Sequence, residues 1–197
     1  MKLNGIKPYK RKARWRKRRD ERRPEATFPN LIKGRFSIVP NLFWVSDFTY
    51  LKYHNQYLYL ATLMDLYTRE IVGWYLTDRH TSDLVIEAFL DAFQNTGLLP
   101  ELVHSDQGSE YTSKKYTDLV EKLGVKVSMS KKSSPWENGY QESFFNNFKT
   151  DLGLEFDRFN TLGEFVEGIY QTINYYNNTR IHTILKMSPN KFRLLHT

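Results

Sequence analysis

The chain has 197 residues, of which 40% are hydrophobic, and a net charge of +7 at pH 7, enough apolar material for one fair-sized domain plus a tail. No apolar run reaches bilayer-spanning length and the N-terminus has no apolar leader core, so a soluble protein with a cytoplasmic location is expected. Cysteine is absent and the five histidines show no paired ligand spacing, which excludes disulfides and argues against a zinc module.

The positive charge sits at the start. Residues 1–23 hold 12 Lys and Arg against Asp20 and Glu21, a net of +10, so the rest of the chain is slightly acidic. Arg11, Arg14, Arg16 and Arg18 belong to this run, whose density favours contact with DNA or RNA phosphates over a merely solvated terminus. Trp15 within it suits either stacking on a base or packing on the body. Pro24 to Pro40 reads as a connector, and residues 1–35 together read as a basic arm and linker.

Three strand-like runs follow, Leu42–Leu51, Gln56–Leu66 and Glu70–Thr77, rich in β-branched and aromatic residues and separated by breaks short enough for hairpins. A helix is predicted next, capped by Thr81 or Ser82. Its apolar face is Leu84, Val85, Ala88, Phe89, Ala92 and Phe93, and Gly97 stops it. A short strand Leu102–Asp106 precedes a helix from about Thr112, with Tyr116, Leu119, Val120 and Leu123 on one face, and Val125–Met129 reads as a fifth strand. Ser134, Pro135 and Glu137 form the opening of a further helix, and Thr161 with Glu164 forms a second capping box. The order β-β-β-α-β-α-β-α predicts an α/β domain with a mixed sheet, and the antiparallel start argues against a dinucleotide-binding fold.

Three acids stand out by context. Asp47 interrupts an apolar strand, where aspartate is disfavoured; Asp106 ends a strand; Glu142 lies on a polar helical stripe with Asn138, Asn146 and Lys149. Tyr140, Phe144, Phe148 and Leu152 form a separate apolar ridge on that helix. Buried beside one another without a cation, such carboxylates would be raised in pKa by desolvation and mutual repulsion. Mg²⁺, or Mn²⁺ in its place, relieves that cost, and two such ions suit phosphoryl transfer. Asp65, near a turn, reads as structural, as does Glu137 in its capping position.

Several ordered segments resemble one family. They are Pro40-Asn41-Leu42-Phe43-Trp44-Val45-Ser46-Asp47-Phe48-Thr49-Tyr50, Val103-His104-Ser105-Asp106-Gln107-Gly108-Ser109-Glu110-Tyr111, and the stretch from Ser134 through Glu142 to Phe145. Tyr175-Tyr176-Asn177-Asn178-Thr179-Arg180-Ile181-His182 and Met187-Ser188-Pro189 close the match. The chain thus resembles the catalytic domain of DDE transposases from bacterial insertion sequences, relatives of retroviral integrases. The resemblance implies a ribonuclease H-like fold, a five-stranded mixed sheet flanked by helices, with an integrase catalytic core over residues 36–155 and a helical extension over 156–197. It also implies that Asp47, Asp106 and Glu142 are the catalytic, metal-binding triad for two Mg²⁺ ions.

The implied activity is metal-dependent DNA cleavage and 3′-OH strand transfer by a homo-multimer. The alternatives are a nuclease of the same fold, or a truncated DNA-binding or inhibitory fragment. Such transposases usually carry a helix-turn-helix before the core, and here Met1 is expected to fall inside its last part, so a partner polypeptide supplying it is a further expectation. Lys131, Lys132 and Lys149 flank the site and suit a phosphate backbone as well as they suit an ordinary surface, and the resemblance favours a DNA contact for Arg180.

Overall fold

The computed structural model describes residues 28–130, 139–153 and 155–196. The basic arm with Arg11, Arg14, Arg16 and Arg18, the pair Lys131 and Lys132, and the predicted helix opening at Ser134, Pro135 and Glu137 lie outside them.

A five-stranded sheet in the order β3-β2-β1-β4-β5 carries the domain. Strands β1 (Phe43–Tyr53), β2 (Gln56–Asp65) and β3 (Ile71–Thr77) form an antiparallel meander, while β4 (Leu102–Ser105) and β5 (Lys126–Met129) add in parallel. The meander falls where its alternating aromatic and β-branched residues predict it. Helix α1 (Ser82–Thr96) supplies the connection into the parallel half. It starts after Thr81 and stops at Gly97, whose φ of 66° is the left-handed value a helix end favours.

The expected single helix from about Thr112 is two. Residues Ser109–Thr112 form α2 and Lys114–Lys122 form α3, broken at Ser113, whose extended backbone lets its hydroxyl accept from the Tyr116 amide and cap α3. Leu123, predicted on the apolar face of that helix, lies past its end on the surface.

Each face of the sheet has its own core. Trp44, Ala61, Leu63 and Val103 pack against α1 and α3 through Phe89, Ala92 and Val120. On the other face Leu51, Leu60, Met64 and Ile71 meet Phe144 and Phe148 of α4 (Gly139–Leu152) and Phe165, Ile169 and Tyr176 of α5 (Leu162–Asn178). The result is a three-layer α/β/α sandwich closed by the short α6 (Pro189–Leu195). The predicted capping box at α5 forms in part: Thr161 Oγ1 accepts from the Glu164 amide at 3.1 Å, whereas the Glu164 carboxylate turns to the Asn160 amide at 2.8 Å.

Two predicted core aromatics are on the surface. Helix α1 lies so close to β3 that a β-carbon at Gly73 would fall 2.4 Å from the backbone nitrogen of Ala92. With Ala92 buried against the strand, Phe93, one residue further round the helix, is turned partly into solvent. Tyr140 leaves the apolar ridge of α4 and carries the guanidinium of Arg69 over its ring at 4.0 Å.

Side chains occupy the β3 rim of the sheet, and the segment around Pro29 lies along the β5 rim. At β3, the Asn177 amide accepts from Ile71 N and donates to Ile71 O, both at 2.9 Å, as a neighbouring strand would. Asp91 accepts from Trp74 N and Asn95 donates to Val72 O. At β5, Met129 N donates to Pro29 O and Leu31 N to Ser128 Oγ.

Candidate active site

Parallel pairing between β1 and β4 runs from Phe43 opposite Leu102 to Val45 opposite His104. Two residues further along the same register stand Asp47 and Asp106, one just beyond the paired part of β1 and the other just beyond β4. Topology therefore brings together two acids separated by 58 residues of intervening chain.

The third acid is placed by its neighbour. Gln141 is fully buried and reaches from α4 into the sheet, where its Nε2 donates to Val45 O at 2.6 Å and its Oε1 accepts from Thr62 Oγ1 at 3.1 Å. Thr62 is the cross-strand partner of Asp47. Anchoring the helix there leaves Glu142 at the edge of the same site, exposed at its surface. Gln141 was not singled out in the sequence, although it continues the buried series of Phe144, Phe145, Phe148 and Leu152 one turn toward the start of α4.

Asp47 reports the electrostatics. Burial first, and then the charges of Asp106 and Glu142, raise its pKa to about 7, against the opposing effect of the hydrogen bond it accepts from Phe48 N at 2.9 Å. All three carboxylates are thus within electrostatic reach of one another. Among the described residues, no ion pair involves Asp47, Asp106 or Glu142. Nor, among those residues, are three or more acids and histidines gathered closely enough to enclose a metal ion.

The Asp106 loop is tightly held. Asp106 Oδ1 accepts from Gly108 N at 2.8 Å, and Gln107 Nε2 donates to Ser130 O at 2.9 Å. A β-carbon at Gly108 would sit 2.8 Å from Glu110 Oε2 and 3.1 Å from Asp106 Oδ1, so a larger residue there would have to displace both carboxylates. Glu110, which sequence reasoning passed over, is buried and paired with His80 Nε2 at 3.0 Å. His80 lies 4.9 Å from the ring centroids of both Phe48 and Tyr59. No local pattern announces that pair, because Glu110 lies in the short helix α2 and His80 in the loop between β3 and α1. Tyr111 is buried with its hydroxyl 3.0 Å from Ser46 Oγ, and burial and the nearby Asp47 keep it firmly protonated.

Asp65 has the structural part expected of it. It accepts from Asn41 N, Tyr67 N, Thr68 N and Thr68 Oγ1, holding the β2–β3 turn against the entry to β1. Lys149 lies on the Glu142 stripe with its ammonium 5.3 Å over the Tyr50 ring, and partial burial lowers its pKa. Arg180 is engaged within the fold: it pairs with Asp151 and donates to Asn147 Oδ1, bracing the end of α5 against α4.

Two family models described as integrase core domain match this chain, over residues 39–135 and 123–189. The transposase-like protein of Haemophilus influenzae is 31% identical over 166 residues, covering 83% of this chain and 76% of its own length. The chain belongs to the integrase-core transposases. The transposase of insertion sequence IS904 from Lactococcus lactis is 39% identical over 83% of the chain, and the putative IS150 transposase of Escherichia coli 31% over 85%. The chain spans 66% and 60% of the lengths of those two proteins. Among solved structures, the magnesium-bound catalytic core of HTLV-2 integrase in a trimeric form superposes with a TM-score of 0.67 at 20% identity, over 80% of this chain and 99% of that one. A chain of the simian T-cell lymphotropic virus intasome gives 0.73 at 20% identity, over 87% of this chain and 59% of its own. The integrase core is thus a ribonuclease H-like fold, as its sheet order indicates. Among the described residues no helix is long and apolar enough to cross a membrane.

Proposed function

We propose that this integrase core is the catalytic part of a DDE transposase, cutting DNA at an element's end and joining the exposed 3′-OH to target DNA. The observation that carries the reading is Asp47, a strand carboxylate raised to about 7 by burial and by two further acids from distant parts of the chain. The donor set fits a hard divalent cation: oxygen ligands only, no thiol anywhere in the chain, and no described basic side chain paired with them. Asp47, Asp106 and Glu142 would hold two Mg²⁺ ions, with Mn²⁺ as a substitute, by drawing closer together than their metal-free spacing. Bound there, the ions supply Lewis-acid charge at the attacked phosphate and its leaving oxygen.

The chain's own residues do the rest. Gln141 fixes the approach of α4, and the hydrogen bond from Gly108 N fixes Asp106. Water first hydrolyses one phosphodiester to leave a 3′-OH on the element. That hydroxyl then attacks a target phosphodiester, forming the new P–O bond as the target strand's 3′-oxygen leaves with a proton. Lys149, with Lys131 and Lys132, would contact the DNA backbone, and Arg180 would act chiefly by bracing α4. The basic arm, residues 1–35, would add affinity without sequence reading. Assembly into a multimer, and a partner polypeptide contributing end recognition, belong to the same proposal.

The decisive test is Asp106→Asn in a labelled-end assay with Mg²⁺. Cleavage and joining should both vanish while DNA binding is kept or strengthened. Unchanged activity would sink the assignment, and cleavage without joined product in the unmutated protein would favour a nuclease of this fold.

A further inference from the structure

A cleft of about 320 Å³ opens on the flank of α4 lined by Tyr140, Ser143 and Asn147, a different face from that of Glu142. Three segments wall it: the β2–β3 turn, the first turns of α4, and the loop after α5 carrying His182 and Ile184. The turn delivers Arg69 in a left-handed conformation, φ 64°, which side chains other than glycine adopt only at a cost. The loop is set by an isolated bridge between His182 and Met187.

Inside, three side-chain nitrogens, Arg69 Nε and Nη1 and His182 Nδ1, are buried from solvent and lack a hydrogen-bond partner among the described residues. No carboxylate is among the residues lining the cleft. Arg69 also helps to lower the pKa of His182, after burial, so the two groups feel each other across the site. The buried Arg69 donors call for an acceptor, a guanidinium fork matches the oxygens of a phosphate, and His182 Nδ1 adds a donor in its Nδ1–H tautomer. Tyr140, 42% exposed beside the guanidinium, offers a ring face to the adjoining sugar or base.

We propose that this cleft is an oxyanion site that seats one backbone phosphate of DNA, with Arg69 and His182 donating to its oxygens. The inference rests on the DNA-processing role proposed above and extends the nucleic-acid path to the second flank of α4.

Two measurements on the full chain test it. Inorganic phosphate, added alone and followed by NMR, should shift the His182 ring resonances saturably, and Arg69→Gln should abolish the shift. In DNA binding, Arg69→Gln should lower the slope of log affinity against log salt by about 0.9, the loss of one phosphate contact on duplex. Should that variant fold poorly, Ile184→Glu sets a competing carboxylate at the mouth from a position 70% exposed, and should give the same two losses. No phosphate-dependent shift, or an unaltered salt slope in both variants, overturns the inference while the catalytic reading stands. Phosphate binding with an unaltered slope rejects DNA as the source of the anion. A chain that binds no DNA at all overturns the proposed function first.

Discussion

Replacing Asp47 by Asn should stabilise the metal-free protein, and more so as the pH rises. The folded-state pKa is raised from 3.8 to about 7, so the native protein resists losing a proton that the unfolded chain gives up readily. Stability is therefore greatest below pH 4 with respect to this group, and falls progressively until the folded carboxyl ionises near neutrality. Over the whole interval the cost reaches about 4 kcal/mol, at roughly 1.4 kcal/mol per unit, and at pH 5 it is about 1.5 kcal/mol. Asparagine has no charge to bury. For a chain of this size each kcal/mol moves the melting temperature by about 2–4 °C, so the variant should melt about 10 °C higher at pH 8 and only a few degrees higher at pH 5. Differential scanning calorimetry in chelator at the two pH values measures this directly. Adding Mn²⁺ should narrow the gap, because only the unmutated protein gains from it. Equal melting temperatures at pH 8, or an advantage independent of pH, would refute the reasoning.

Gln141→Leu should cost about 2–3 kcal/mol in urea unfolding, because Val45 O and Thr62 Oγ1 lose a buried partner. Its strand-transfer rate should fall by a larger factor than stability alone accounts for, since Glu142 rides on that anchor. Gly73→Ala should cost about 3 kcal/mol or more, at the upper end for overpacking, because its β-carbon meets helix backbone rather than a side chain that can swing away. Circular dichroism of the purified variant would reveal a lowered melting temperature or failure to fold.

Strands β1 to β3 were legible because their apolar alternation is local, and the ends of α1 because capping chemistry is local too. Asp65 was read correctly as a turn residue for the same reason. Asp47 was visible as a misfit in an apolar strand. What the sequence withheld depends on three-dimensional approach. Gln141 looks like one more polar residue on a helix until the sheet beneath it supplies Val45 O and Thr62. Glu110 and His80 meet only because α2 folds back against the loop between β3 and α1. Phe93 and Tyr140 carry the right spacing for burial, yet the close seat of Ala92 against Gly73 turns one outward and the pull of Arg69 draws the other aside. Ser113 divides a helix that hydrophobic spacing alone makes continuous.

The partly occupied rims of the sheet bear on how copies of this protein can meet. With Asn177, Asp91 and Asn95 standing in for a neighbour along β3, and Pro29 O taking the Met129 amide on β5, several backbone groups that would template an incoming strand are already taken. Polymerisation by strand addition, the common hazard of open sheets, is thereby discouraged. Among the described residues, helix surfaces and side chains are left as the ground on which copies would meet, and these can be tuned for partner choice without disturbing the fold that carries the acids.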